Sequence, residues 1–412
     1  MGTGTEHDGN ESRLMAGAPP FTSETLVTLE NWQQASFNRW AFQHIRELIP
    51  TARIPRGSGP IWELPTAERD LSRVRFPTRS GEKTVGQHLE ETYTDGFLVI
   101  HDGRIVTEQY FNRLRPHMPH LLMSVSKSIT GLLAGALAGQ RLLDVTARVE
   151  TIVPELSGTS FEGATVQQLL DMRTGTHFVE DYDDPEGDIA VCDRVYLWRP
   201  DEGKPRPADA IEFFATLVND CPHGGAFQYR SILTDVLAWV LETAGRARFS
   251  DLVAEKLWQP MGAEHDAEVT VDGHGNAMAD GGISATLRDA GRVGLLALRR
   301  GRARDAQVIP ESWIDDTIKG APDGPWAFLE GDGARGYPSG AHYRNCWWVT
   351  DPLVPVFQAT GIHGQSIIVH VPSQTVVVKL SSWPEELNPA MRRATNAAVI
   401  AIVAELLDVT GG

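Results

Sequence analysis

The sequence predicts an α+β fold in which one antiparallel sheet is assembled from both ends of the chain and a mainly helical region is inserted between them. Three observations carry this expectation. Residues 97–111, FLVIHDGRIVTEQYF, are two β-rich runs joined at Asp102-Gly103, whose tolerance of positive φ suits a tight hairpin turn. Strand composition returns in CWWVT (346–350), SIIVHV (366–371) and TVVVKLSS (375–382), the last two separated only by Pro372-Ser373-Gln374. From Ser124 to about Leu298 the apolar spacing is helical instead.

Taken in order, NRWAFQHIRELI (38–49) reads as an amphipathic helix able to cover a sheet face. SITGLLAGALAGQ (128–140) is apolar or small on every side, which marks a buried helix, and Gly139 stands near its end. VQQLLDM (166–172), ADAIEFFATLV (208–218), ILTDVLAWVLETAG (232–245), FSDLVAEKLW (249–258) and LRDAGRVGLLAL (287–298) continue the helical series. A last amphipathic helix, from about Ala390 to Leu407, would cover the sheet. The division implied is a disordered tail over 1–20, a discontinuous α/β domain from 21–123 and 325–412, and a mainly helical domain over 124–324. No repeat of fixed period is present, which excludes solenoids and propellers.

The chain has 412 residues, enough for one large domain or two intimately packed ones, and 42% of them are hydrophobic. A net charge of −17 argues against nucleic acid or an anionic membrane as partner, because both are polyanions; a cationic or neutral small molecule fits better. Cys192, Cys221 and Cys346 lie too far apart for a disulfide framework or a zinc site and read as core thiols, so neither metal nor other cofactor is expected. The first twenty residues lack a basic start and an apolar run, and Glu6 breaks the myristoylation pattern, which suggests a cytoplasmic protein. A homodimer is compatible with the sequence, which does not fix the oligomeric state.

The chemistry centres on Ser124-Val125-Ser126-Lys127, an S-x-x-K where an extended region meets a buried helix. Residues three apart on a helix share a face, so the Ser124 hydroxyl and the Lys127 amine can meet. Free N–H groups at the helix start favour a developing oxyanion. A lysine with a pKa of roughly 10.4 is a poor base at neutral pH. Burial beside Leu121, Leu122, Met123, Ile129 and Leu132 is expected to lower that value. Alone, the pattern equally fits a capping serine with a snorkelling lysine, and Ser80-Gly81-Glu82-Lys83 matches it by chance in a polar stretch. Tyr229, in AFQYRS (226–231) directly ahead of a helix, could relay a proton to a leaving group, although a lone tyrosine also fits half-buried packing. Gly331 to Gly336 match G-x-G-x-x-G, but Tyr337-Pro338-Ser339-Gly340 follows instead of a helix, so this is a loop. Neither H-E-x-x-H nor G-x-S-x-G occurs.

MSVSKSI (123–129), VQQLLDMRTGT (166–176), FQYRS (227–231), DGGISATLRDAGRVG (280–294) and GIHGQS (361–366) together resemble the ordered signatures of class C β-lactamase-like, penicillin-recognising serine hydrolases. The resemblance runs from about Asn31 to Leu407 and is nearest the 6-aminohexanoate-dimer hydrolase branch, the nylon-oligomer hydrolases. It implies an acyl-enzyme mechanism with Ser124 as nucleophile, Lys127 as base and Tyr229 as proton relay, and the backbone N–H groups of Ser124 and Ile362 as oxyanion hole. Ala359-Thr360-Gly361 stands in place of the family's K-T-G, and loss of that lysine makes recognition of a β-lactam carboxylate doubtful.

Glu180-Asp181-Tyr182 and Asp193 are similar to a segment that covers linear amides in the nylon-oligomer branch. The resemblance gives Tyr182 the scissile amide and Asp193 a substrate ammonium, with Trp198 and Trp348 as apolar walls. Asp280 replaces an asparagine and would attract a cationic end if it faced the pocket. His363 is expected to be structural or to line the substrate site. The leading reading is thus a hydrolase of short linear amides and small esters. Its alternatives are a carboxylesterase without amidase activity and a catalytically silent scaffold.

Overall fold

The computed structural model describes residues 13–79, 81–332 and 337–408. The expected hairpin is present as strands Thr94–His101 and Arg104–Tyr110, with Asp102 at φ +50° in its turn. It forms one edge of a seven-stranded antiparallel sheet. From the other edge the strands are His342–Arg344, Trp347–Asp351, Val356–Thr360, Ser366–His370 and Thr375–Ser381, the last pairing with Thr94–His101. Both ends of the chain thus build one sheet, as the composition of these segments predicts.

Alternation along the strands sorts the side chains into two layers. Leu98, Ile100, Val376 and Val378 join the main core, while Phe97, Val99, Val377 and Ile368 face a smaller cluster closed by Ala398, Val399, Ile402 and Leu406 of the terminal helix Pro389–Asp408. On the main-core face lies helix Leu287–Leu298, which the sequence division placed with the helical region. Its Gly294 permits the approach, since a Cβ there would lie 2.5 Å from Val376 Cγ1. The helices Val125–Gly139, Val166–Leu170, Ala210–Thr216, Ile232–Gly245 and Phe249–Val253 follow the expected series, and residues from both parts of the chain share one continuous core.

Two expectations are corrected. Residues 38–49 do not form one helix: Asn38–Ala41 is a single turn and Ile45–Glu47 a short 3-10 helix. The break has a local cause, because the Phe42 carbonyl accepts from Leu121 N at 2.7 Å and is lost to a continuing helix. The tail expected to be disordered to Pro20 is ordered from Arg13 on, with Leu14 3% exposed in the core and Met15 N donating to Thr25 O at 2.9 Å. Residues 1–12, Ser80 and positions 333–336 of the glycine-rich match lie outside the described residues.

A second sheet was not foreseen. Strands Thr51–Ile54, Ala267–Thr270, Ile283–Ala285 and His120–Leu121 pair antiparallel in that order, each only two to four residues long. Runs this short carry no readable period. This sheet delivers the chain to Ser124 and holds the 277–285 segment beside it. Among the described residues, no helix is long and apolar enough to cross a membrane.

Candidate active site

Ser124 occupies the N-cap of helix Val125–Gly139, one residue past Met123, which is held at φ +49°. This turn swings the chain from strand His120–Leu121 into the helix and leaves Ser124 partly exposed among buried neighbours. Leu122 N donates to Ile283 O at 2.9 Å, and Ile283 N donates to Ser126 Oγ at 3.1 Å. These bonds fix the helix start against the loop that carries Asp280.

One helical turn on, Lys127 is 1% exposed and Nζ donates to Ser124 Oγ at 2.8 Å. It also meets Asp280 O at 3.0 Å and Asp280 Oδ2 at 3.3 Å. Burial pushes its pKa down, as expected from the sequence. Where they are ionised, Tyr229, Asp280, Glu180 and Asp235 outweigh that effect and hold the amine above the usual lysine value. The expected net lowering is therefore corrected to a rise, because the wall around the amine is acidic, and the resting group is an ammonium.

Tyr229 completes the cluster, with its ring centroid 5.2 Å from Lys127 Nζ. Burial raises the phenol, Lys127 works against that, and the net direction is up, so the hydroxyl is neutral. The ring stacks on Trp348 at 5.4 Å, and the loop is held by Gln228 N to Met172 O at 2.9 Å. Two cavities meet at Ser124. The narrow one, about 30 Å3, is lined by Met123, Tyr182, Asp193, Trp198, Ser231, Asp280, Gly281 and Ile362, with Gln33 at its rim. The wider cleft, about 760 Å3, runs along Glu180, Tyr182, Tyr229, Trp348, Gly361, Ile362 and Arg392.

The residues anticipated as oxyanion donors, Ser124 and Ile362, line both cavities together. Gly361, at the end of strand Val356–Thr360, packs against the nucleophile turn so closely that a Cβ there would lie 3.1 Å from Ser124 N. Among the described residues, neither Ser124 N nor Ile362 N donates a hydrogen bond.

Tyr182 lines both cavities, its hydroxyl bonded to Glu180 Oε2 at 3.3 Å. Trp198 walls the narrow cavity and Trp348 the wide one. Asp193 reaches the narrow cavity from helix Asp188–Val195, but Oδ2 accepts from Arg199 Nε at 2.8 Å, and burial pushes its pKa up to about 6 against that pairing. Asp280 faces the pocket and not solvent, at 5% exposure. His363 lines neither cavity. It is fully buried, Nδ1 lies 2.8 Å from Trp383 O, and its ring packs edge-on to Phe42, contacts that suit the structural one of the two roles expected for it.

Sequence reasoning assigned no role to three groups. Glu180 is a half-buried carboxyl raised by desolvation and bonded to Ser231 N and to Tyr182, whereas Asp181, Asp183 and Asp184 around it are exposed. Asp235 accepts from Asp280 N at 3.0 Å and is held well above the carboxylate range by burial and by Asp280. A carboxylate inside the apolar run ILTDVLAWV was the available signal for it. Arg199, which pairs with Asp193 at 2.8 Å, was not singled out. Among the described residues, no three His, Cys, Asp or Glu side chains gather as a metal site would need.

The beta-lactamase family pattern matches residues 82–402. A 6-aminohexanoate-dimer hydrolase from Paenarthrobacter ureafaciens is 38% identical over 359 residues, covering 87% of this chain and 88% of that one. Among solved structures, a Bacillus anthracis protein provisionally described as a 6-aminohexanoate-dimer hydrolase superposes with a TM-score of 0.85 at 27% identity, over 94% of this chain and 99% of that one. A family VIII carboxylesterase shares the fold at a TM-score of 0.57 and 15% identity, over 77% of this chain and 95% of that one. The chain belongs to the beta-lactamase family and is a hydrolase of that family.

Proposed function

We propose that the chain cleaves short linear amides of the 6-aminohexanoate-dimer type, and small carboxylic esters, through an acyl-serine intermediate. The observation that carries this reading is the 2.8 Å contact between Lys127 Nζ and Ser124 Oγ at the junction of two cavities, one of them walled by carboxyl groups. In its neutral form Lys127 keeps two N–H donors for Asp280 O and Oδ2 and turns its lone pair on Ser124, so the same three contacts suit the reactive state. Ser124 Oγ then attacks the carbonyl as its proton passes to Lys127, and the oxyanion forms between the N–H groups of Ser124 and Ile362. The proton travels by way of Tyr229 to the leaving nitrogen or oxygen, and water releases the acid from Ser124.

The name of the Paenarthrobacter relative and the acidic narrow cavity both support an amide substrate with a cationic end. The second reading, a carboxylesterase without amidase activity, draws support from the Arg199 partner that already neutralises Asp193. Hydrolysis of 6-aminohexanoate dimer and of a short nitrophenyl ester separates them. Turnover of both is expected, and ester turnover with an inert dimer would leave only the second. A silent scaffold would hydrolyse neither.

A further inference from the structure

The narrow cavity holds an acceptor without a donor. Asp280 Oδ2 faces Lys127 at 3.3 Å, but Oδ1 is buried and accepts no hydrogen bond among the described residues. Asp193, the residue that the resemblance assigns to a substrate ammonium, is already engaged with Arg199 at 2.8 Å. A buried acceptor left unpaired is costly, and a ligand that brings a donor removes the cost. The Lys127 head group bridges Ser124 Oγ at 2.8 Å and the other oxygen of this carboxylate, Oδ2, at 3.3 Å, a short span that suits an acyl chain of a few methylenes ending in a primary ammonium.

We propose that Asp280 receives the cationic end of the substrate through Oδ1, and that an ammonium seated there weakens the hold of this carboxylate on Lys127 and so frees the amine to act as base. This rests on the proposed function and names the group that selects its substrate. The charged and titratable groups facing Lys127 are Tyr229 just ahead of one helix and Asp235 in its first turn, Glu180 from the loop opposite, the Cys346 thiol and Asp280 itself. Of these, Asp280 is in ion-pair contact and also lines the narrow cavity. A second cation beside the pair opposes the Lys127 charge, and the displaced proton leaves to water in the open cleft.

The test compares ethyl 6-aminohexanoate with ethyl heptanoate, esters that differ by an ammonium in place of a methyl, in the wild type, Asp280→Asn and Asp193→Asn. Wild type should prefer the amine, and Asp280→Asn should cut the ratio of the two kcat/KM values by about 10-fold or more, the scale of one charged hydrogen bond. Asp193→Asn should cut it less. For ethyl heptanoate, the rising limb of the pH profile should move down by about one to two pH units in Asp280→Asn, since activity needs neutral Lys127 and the carboxylate that keeps it charged is gone. No amine preference in the wild type, an unchanged ratio in Asp280→Asn, or a larger loss in Asp193→Asn overturns the seat. An unmoved limb overturns the release of Lys127. Hexylamine should compete with ethyl heptanoate in the wild type, a measurement that requires no variant, and absence of competition also overturns the seat. An inert amide dimer would sink the amidase reading yet leave this ester pair decisive.

Discussion

Substitution of Gly361 by alanine tests whether the backbone frame of the site is catalytic. The added Cβ would lie 2.8 Å from Leu122 O, 2.9 Å from Met123 Cβ and 3.1 Å from Ser124 N. Two of these atoms are backbone, in a turn already held at positive φ by Met123, so they cannot rotate away as a flexible side chain would. Relief to an ordinary contact requires the strand end and the nucleophile turn to part by about 0.5 Å, the tolerance within which a catalytic constellation has to be held. Ser124 N and Ile362 N lie on opposite sides of that gap, and loss of one oxyanion donor costs about 100- to 1,000-fold in kcat. Steady-state hydrolysis of nitrophenyl butyrate should show a fall of that order with little change in KM. Gly59→Ala, where nothing lies within 4 Å, serves as control. A Gly361→Ala enzyme with kcat within about threefold of wild type would refute the assignment, because the donors would then not be needed for the rate.

Three further outcomes follow from the same geometry. Tyr229→Phe keeps the stack on Trp348 and removes only the hydroxyl, so kcat should fall by about 100- to 10,000-fold with the fold intact; near-wild-type rates would remove Tyr229 from the proton path. Asp193, raised to about 6 by burial, binds its proton more tightly folded than unfolded, so its contribution to stability is full below the unfolded value near 3.8 and is lost as pH rises through about 6. Thermal or urea unfolding of Asp193→Asn against wild type should therefore shift in favour of the variant by up to roughly 3 kcal/mol between pH 4 and 7, and a pH-independent difference would contradict it. Gly131→Ala should destabilise by several kcal/mol despite alanine's better helix propensity of about 1 kcal/mol, because its Cβ would lie 2.2 Å from Asn345 O; an unchanged melting temperature would show that the helix can shift.

Much of this molecule is legible in its sequence where a physical signal is long or repeated. The hairpin turn at Asp102-Gly103, the all-apolar helix after Ser124 and the paired β-branched runs 366–371 and 375–382 each span several residues of consistent pattern and stand as expected. The four-stranded sheet that aims Ser124 was not readable, because its strands are too short to show alternation and include polar runs such as TARI and AEVT. Helix 38–49 failed for a different reason: a single tertiary hydrogen bond to the Phe42 carbonyl overrode a good amphipathic pattern.

At the site, spacing placed Ser124 and Lys127 on one face, and the structure brings them together. The charge of Lys127 was misjudged, since the local sequence displays only its apolar neighbours. Tyr229, Asp280, Glu180 and Asp235, which once ionised reverse the effect of burial, arrive from 53 to 153 residues away. His363, adjacent in sequence to Ile362, the proposed oxyanion donor, points instead into the core toward Trp383 and Phe42.

In the proposed mechanism the Ser124 hydroxyl is made nucleophilic by the Lys127 amine. Intact-protein mass spectrometry after treatment with a fluorophosphonate measures this directly. A single adduct mapping to the peptide that contains Ser124 is predicted, absent in Ser124→Ala and slowed by about 100-fold or more in Lys127→Ala. An adduct on another residue, or labelling of Lys127→Ala at the wild-type rate, would contradict it.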